Sequence, residues 1–353
     1  MRNKNFPNSA KTFLSLAAIL CSTLPVVAEN SQRTQIEIPS AESVLIDDFI
    51  KLQPKRPKVA LVLGGGGLRG AAHVGILRVL EREGIPIDMV VGTSMGAVVG
   101  GLYCAGVSTE RLEKDIVRCF ISSYYTAPLT VQALKMNVSY LMLRKPQGLY
   151  DGGNLARSID NYVPAQQREI SNLRPKFAAV TTDLVEGRTR TLTEGDLGKA
   201  IQASTAVPLL RKPVSMGDAL LVDGGAICNL PVDQAKLLGA DFVIAIDVDE
   251  RIESTVRKKL NRHVFKTSSR IVSLMLAKID EGQKLAADVC IQPDVTGISL
   301  LSRKSSEGER AIFAGEDAAA RAMPELKMKL MAAGVELYPV ENSVSAKLMV
   351  SSR

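Results

Sequence analysis

The chain has 353 residues, of which 46% are hydrophobic, with no tryptophan and a formal net charge of +7 at pH 7. With so few aromatics the core must be aliphatic. The basic balance is mild and its lysines and arginines are not clustered with aromatics, which speaks against nucleic-acid binding. Only two histidines are present, His73 and His263, which speaks against a histidine-based metal site.

Residues 1–28 open with Arg2, Lys4 and Lys11, continue with an apolar run over 13–20, break at Pro25 and end on Val26, Val27 and Ala28. This pattern predicts a secretory signal peptide cleaved after Ala28, with an uncleaved anchor as the alternative. The apolar run is short for a membrane span, and no later stretch is long and apolar enough to make one. Removing the segment takes away three positive charges and no acids, leaving +4. The expectation is an exported chain, periplasmic or secreted, able to sit against an anionic surface. Residues 29–57 are polar with scattered prolines and read as a linker, 58–340 as one large α/β domain, and 341–353 as a tail. The four later cysteines, Cys104, Cys119, Cys228 and Cys290, show no metal spacing and read as buried thiols, with one bridge left open.

The continuous apolar run 59–63 predicts a strand buried on both faces of a parallel sheet. A glycine loop, Gly64 to Gly70, joins it to a helix over 71–83 ended by Gly84. Successive N–H groups in such a loop can converge on an anion. Gly65, Gly67 and Gly70 fit the dinucleotide fingerprint G-x-G-x-x-G, so a nucleotide-dependent oxidoreductase is one reading. The next strand, 89–91, does not end in the acidic residue that a ribose would need. It runs into Gly92-Thr93-Ser94-Met95-Gly96, a G-x-S-x-G pattern before a small-residue helix start. That pattern predicts a nucleophile elbow, a sharp turn at which side chains on the flanking positions would strike backbone. On this reading the glycine loop beside it is an oxyanion hole. The plainer alternative is a turn in which Ser94 caps the helix.

Helices are predicted over 109–120, 129–143 and 154–162, with Asp151 as a helix-start turn. Strands follow at 177–182 and 189–193, then a small-residue helix over 199–206 stopped by Pro208. The run 219–222 reads as a parallel strand ending in Asp223-Gly224-Gly225, which would put Asp223 on the ligand side of the sheet. A turn residue is the alternative there. Further on come a helix over 232–238, a strand over 242–248 and a charged surface segment over 249–262. An amphipathic helix follows over 264–287, with Ile271, Leu274, Met275 and Ile279 on one face. That face is expected to pack on the sheet, with a membrane-resting helix as the alternative. A final helix is predicted over 309–333.

Three motifs now stand in order: Gly65-x-Gly67-x-x-Gly70, Gly92-x-Ser94-x-Gly96 and Asp223-Gly224-Gly225. Together with Ala203 to Pro208, Leu230-Pro231, Leu238 to Asp241 and Pro293-Asp294, they resemble the patatin-like phospholipase family over most of residues 58–320. The short length resembles bacterial members related to the esterase domain of neuropathy target esterase. The resemblance implies a three-layer α/β/α patatin-like fold with a mostly parallel central sheet, and a serine lipid acyl hydrolase that needs no cofactor or metal. Its substrate would be a phospholipid or lysophospholipid at a membrane or micelle surface. Carried over, Ser94 is the nucleophile, Asp223 its base, and Gly65, Gly66 and Gly67 the oxyanion hole. Arg69 matches a basic position of the glycine loop and would otherwise be an exposed helix-start residue. The three motifs show no departure, whereas residues 120–160 have no clear match. Ser94, Asp223 and His263 also occur in the order of an α/β-hydrolase triad, but His263 lies in a cationic stretch and follows no strand. A dyad is therefore expected. Partial burial would raise the aspartate from its ordinary pKa of about 3.9 toward that of a working base. A non-catalytic lipid-binding protein with an idle serine is the remaining alternative.

Overall fold

The structure, a computed structural model, describes residues 56–115, 152–251 and 264–338. The expected signal peptide, most of the linker, the helix over 129–143, Asp151, Cys119, His263 and the tail lie outside these residues. In chain order the elements are β1 (Val59–Leu63), a 3-10 turn (Gly67–Ala71), α1 (Ala72–Arg82), β2 (Met89–Thr93), α2 (Met95–Cys104), α3 (Thr109–Asp115) and α4 (Gly153–Tyr162). Then follow β3 (Lys176–Asp183), β4 (Arg188–Leu192), α5 (Leu197–Ser204), β5 (Val214–Met216), β6 (Ala219–Asp223), α6 (Val232–Leu237) and β7 (Phe242–Ile246). The chain continues through α7 (Val264–Ala286), β8 (Val289–Ile291) and α8 (Ser305–Ala332).

The strands join in one sheet whose hydrogen-bonded path runs β5-β6-β3-β2-β1-β7-β8, with β4 also on β3. The centre is parallel, as the unbroken apolar run of β1 requires of a strand covered on both sides. Alternate residues of β1 face opposite layers. Val59, Leu61 and Leu63 pack with α1, α2, α4, α5 and α8, whereas Ala60 and Val62 pack with α6. The result is an α/β/α domain with helices on both faces.

Three expectations are corrected. β6 is antiparallel to β3, not parallel to its neighbours. Strand β3 is eight residues long and outruns β2, which pairs only with its first five, ending at Thr93 opposite Val180. β4 takes one edge of β3 from Ala179 to Asp183. A strand has two edges, so β6, opposite Thr181 to Asp183, lies on the same edge as β2. The two strands therefore approach each other head-on, with Thr93 opposite Val180 and Asp223 opposite Thr181. The second correction concerns α7, whose apolar stripe does not cover the sheet. Ile271, Leu274 and Met275 are exposed, while Ser273 and Asp280 are buried. The third concerns Cys290, which is exposed, whereas Cys104 and Cys228 are buried; all three are free thiols.

Candidate active site

The head-on approach of β2 and β6 leaves both chains with nowhere to continue along β3, so both turn. At the end of β2 the turn falls on Ser94, with φ 52° and ψ −119°. This is a sparsely populated conformation for a residue with a Cβ. It holds because the flanking positions are glycine. A Cβ on Gly92 would lie 2.5 Å from the backbone of Gly96, and one on Gly96 would lie 2.1 Å from Leu63 O. The second contact also sets the start of α2 against the end of β1, where the glycine loop begins. Ser94 N–H donates to Ser204 Oγ at 2.9 Å, and that hydroxyl donates to Val180 O at 2.7 Å. The elbow is thereby tied to both β3 and the end of α5.

Ser94 stands at the cap position of α2, but its side chain makes no capping bond. Its Oγ donates instead to Asp223 Oδ2 at 2.7 Å. The other carboxylate oxygen accepts Gly225 N–H at 2.9 Å, so the turn reading of Asp223 also holds, on that oxygen alone. A Cβ on Gly224 would lie 2.5 Å from Val180 O, so glycine is needed for β6 to end this close to β3. Both side chains are almost fully buried. Burial pushes the Asp223 carboxyl up to about 6; the bonds from Ser94 and Gly225 and the Arg211 charge pull the other way. A buried carboxylate with that affinity for a proton can accept one from a hydroxyl 2.7 Å away.

The glycine loop adjoins this pair. A Cβ on Gly65 would meet Ser94 Cβ at 3.2 Å and Asn229 Oδ1 at 2.4 Å. Of the three expected oxyanion donors, Gly65 already gives its N–H to Asn229 O at 3.1 Å. Gly66 and Gly67 have no acceptor for theirs among the described residues. Gly67 takes φ 54°, and a Cβ there would lie 2.1 Å from Leu300 O. Gly70 lies so close to Met95 that a Cβ would be 2.5 Å from its Cγ. Arg69 is not an exposed helix-start residue. It is buried, with Nε donating to Ile298 O at 2.7 Å and Nη2 paired with Glu250 at 3.0 Å. It ties the loop to the far segment rather than facing solvent.

His73 is not part of the pair. It is fully buried, donates Nε2–H to Gly64 O at 2.8 Å, and is pushed down to about 4 by burial, so it is neutral near pH 7.

Sequence reading missed the residues that hold the loop. Asn229 Nδ2 reaches Gly65 O at 3.4 Å and Asp280 Oδ2 at 2.8 Å, and its own carbonyl takes Gly65 N–H. Asp280 also accepts Leu230 N–H at 2.8 Å. Asp280, Asp247 and Asp249 form a cluster of buried carboxylates. Asp247 is paired with Lys284 and accepts from Gln292 Nε2 at 2.9 Å. Asp249 has no donor for its oxygens among the described residues. Burial, and then the charge of Asp247, push its carboxyl well above the usual carboxylate range.

The fold and this site together define an α/β domain with a serine elbow and a buried partner aspartate. The family model for patatin-like phospholipase matches residues 61–236, and the domain belongs to that family. Over 198 residues the chain is 36% identical to human patatin-like phospholipase domain-containing protein 6, and 35% to mouse protein 7 of the same series. Each match covers 56% of this chain and 14% of the relative. The lysophospholipase nte1 of Neurospora crassa is 34% identical over 200 residues, covering 56% of this chain and 12% of that one. The chain thus matches only a small part of the length of these relatives. The crystal structure of VipD from Legionella pneumophila aligns with a TM-score of 0.43 at 13% identity, over 77% of this chain and 67% of that one.

Proposed function

We propose that this protein is a serine lipid acyl hydrolase that cleaves a carboxylic ester of a phospholipid or lysophospholipid. The observation that carries the reading is the 2.7 Å bond from the strained, buried Ser94 hydroxyl to Asp223. The family membership and the lysophospholipase among the relatives support the substrate class.

In the reaction Ser94 Oγ attacks the ester carbonyl as its proton passes to Asp223 Oδ2. The tetrahedral oxyanion is held by the N–H groups of Gly66 and Gly67, which have no other acceptor among the described residues. Gly65 contributes by its lack of a side chain, keeping the space beside Ser94 open. The intermediate collapses to an acyl-serine, and the leaving alcohol takes the proton from Asp223. A water then attacks the acyl group with Asp223 again as base, releasing the fatty acid and restoring the serine. An aspartate is a weaker base than histidine, so the oxyanion donors carry more of the barrier, and burial of Asp223 narrows the gap.

A fluorophosphonate probe tests the assignment. Wild-type protein is expected to be labelled and to release fatty acid from lysophosphatidylcholine. Ser94→Ala is expected to do neither while melting normally. Equal labelling of both proteins would refute the assignment. So would absence of labelling together with a nucleotide-dependent rise in melting temperature, which would favour the oxidoreductase reading.

A further inference from the structure

Helix α7 packs the wrong way round for its sequence. Its apolar residues Ile271, Val272, Leu274 and Met275 are between 44% and 59% exposed, while Ser273 and Asp280 are buried. Ile271, Leu274, Met275, Lys278 and Ile279 line a shallow open groove of about 380 Å³. Leaving such a stripe in water forgoes the burial that ordinarily fixes an amphipathic helix to its domain. A contiguous exposed apolar patch of this kind marks a contact surface.

The place of the patch follows from how α7 is docked. Asp280 bonds Asn229 and Leu230, Gln283 exchanges two bonds with Asp233, and Lys236 Nζ reaches Ala286 O. These contacts advance together, so α7 runs parallel to α6. Helix α6 leaves the carboxyl end of the sheet and descends toward the start of β7. The C-terminal end of α7 therefore lies low, and Asp280 lies level with the glycine loop. Residues before Asp280 rise past it. At 1.5 Å per residue, Met275 to Ile271 stand roughly 7–14 Å beyond that level, on the side of the carboxyl ends of the parallel strands, where β2 delivers Ser94.

The sequence that leads into and along this helix says what the patch meets, although Lys278 itself is paired with Glu281. From Arg257 to Lys278 the sequence carries seven lysines and arginines, and no aspartate or glutamate lies between Glu253 and Asp280. A protein partner with an apolar ridge would not require this one-signed run. Anionic lipid headgroups do, because each cation near the surface adds attraction while the apolar side chains enter the headgroup boundary.

We propose that the exposed face of α7 docks the protein on a bilayer containing anionic phospholipid, bringing the end of the sheet that carries Ser94 to the lipid surface. The inference deepens the hydrolase reading and rests on it for its purpose, though docking itself is measured separately.

The test uses the full chain and two vesicle types, phosphatidylcholine alone and phosphatidylcholine with phosphatidylglycerol. Wild-type protein is expected to co-sediment with the anionic vesicles at least tenfold more strongly, and to be released by added salt. Ile271→Asp combined with Met275→Asp should cut that binding at least tenfold. The same variant should cut hydrolysis of vesicle-borne phospholipid by a similar factor and leave hydrolysis of a short soluble ester unchanged. Both positions are exposed, so the fold should survive; the serine pair at the same sites repeats the test with a milder change. Leu237→Asp, on an exposed apolar residue at the far end of α6, should leave binding unchanged. Unaltered vesicle binding by the double variant overturns the proposal. So does a concentration-dependent dimer that the double variant abolishes, which would make a second copy the occupant. Patch-dependent binding without hydrolysis of either ester would refute the hydrolase reading and leave the docking surface standing.

Discussion

Replacing Asp223 with asparagine should make the protein inactive, and more stable in a way that depends on pH. In the folded chain burial raises this carboxyl from 3.8 to about 6. Ionising it therefore costs the folded state about two units at 1.36 kcal/mol each, or about 3 kcal/mol. The sign follows from linkage. A carboxyl whose folded pKa is raised leaves the native state most favoured below the unfolded value. That advantage is lost as pH rises through about 6. Of the total, about 2 kcal/mol accrues between pH 4.5 and 8. Asparagine has no charge to desolvate and escapes this term. Its altered hydrogen bonds to Ser94 and Gly225 change stability by the same amount at both pH values. Other titrating groups, including Asp280 and Asp249, are common to both proteins, so they drop out of the comparison to first order. Urea unfolding of both proteins at about pH 4.5 and pH 8 isolates the effect. The variant should gain about 2 kcal/mol on the wild type between the two conditions, while wild-type kcat/KM rises through about pH 6. An equal stability difference at both pH values would show that Asp223 is not a raised carboxyl in the native protein, and the argument for it as a base would fail.

Asn229→Ala removes the donor shared by Gly65 O and Asp280 and should cost about 1–3 kcal/mol of stability. Steady-state kinetics should show kcat falling with KM little changed, because the glycine loop of the proposed oxyanion hole is loosened; wild-type kcat would contradict that role. His73→Gln can keep the bond to Gly64 O and should retain most activity, whereas a loss as deep as that of Ser94→Ala would make His73 the base. Burial lowers the His73 pKa to about 4, so the native state resists protonation and loses stability as pH falls below about 6.5. The glutamine variant should therefore lose less on acidification, as melting curves across that range would show.

The strongest sequence signals were those backed by hard sterics or full burial. β1 announced itself because a strand covered on both faces is apolar throughout. Gly92 and Gly96 announced the elbow because each meets backbone within 2.5 Å of where a Cβ would be. The direction of β6 was not legible, since five apolar residues between two turns carry no sign of polarity. The length of β3 leaves a free stretch of edge beyond β2 at Thr181 to Asp183, and β6 fills it antiparallel. The inward face of α7 was misread for a related reason. Amphipathicity shows which side of a helix is apolar, not whether the domain or its surroundings will cover it. Asn229 and Asp280 gave no signal at all. A loop asparagine and a helical aspartate are ordinary surface residues until the fold brings them to Gly65 from 164 residues away in one case and 215 in the other. The same distance hid the prior claim of Asn229 O on the Gly65 N–H.

The head-on meeting of β2 and β6 also has a consequence for the timing of synthesis. A ribosome finishes Ser94 and its glycine loop long before Asp223, which lies 129 residues further on. Until then β3 can pair with β2, but the end of its shared edge is vacant, and the serine is an ordinary alcohol with no group to take its proton. On the proposed reading the nascent chain acquires its chemistry only when the last three residues of β3 find their second neighbour.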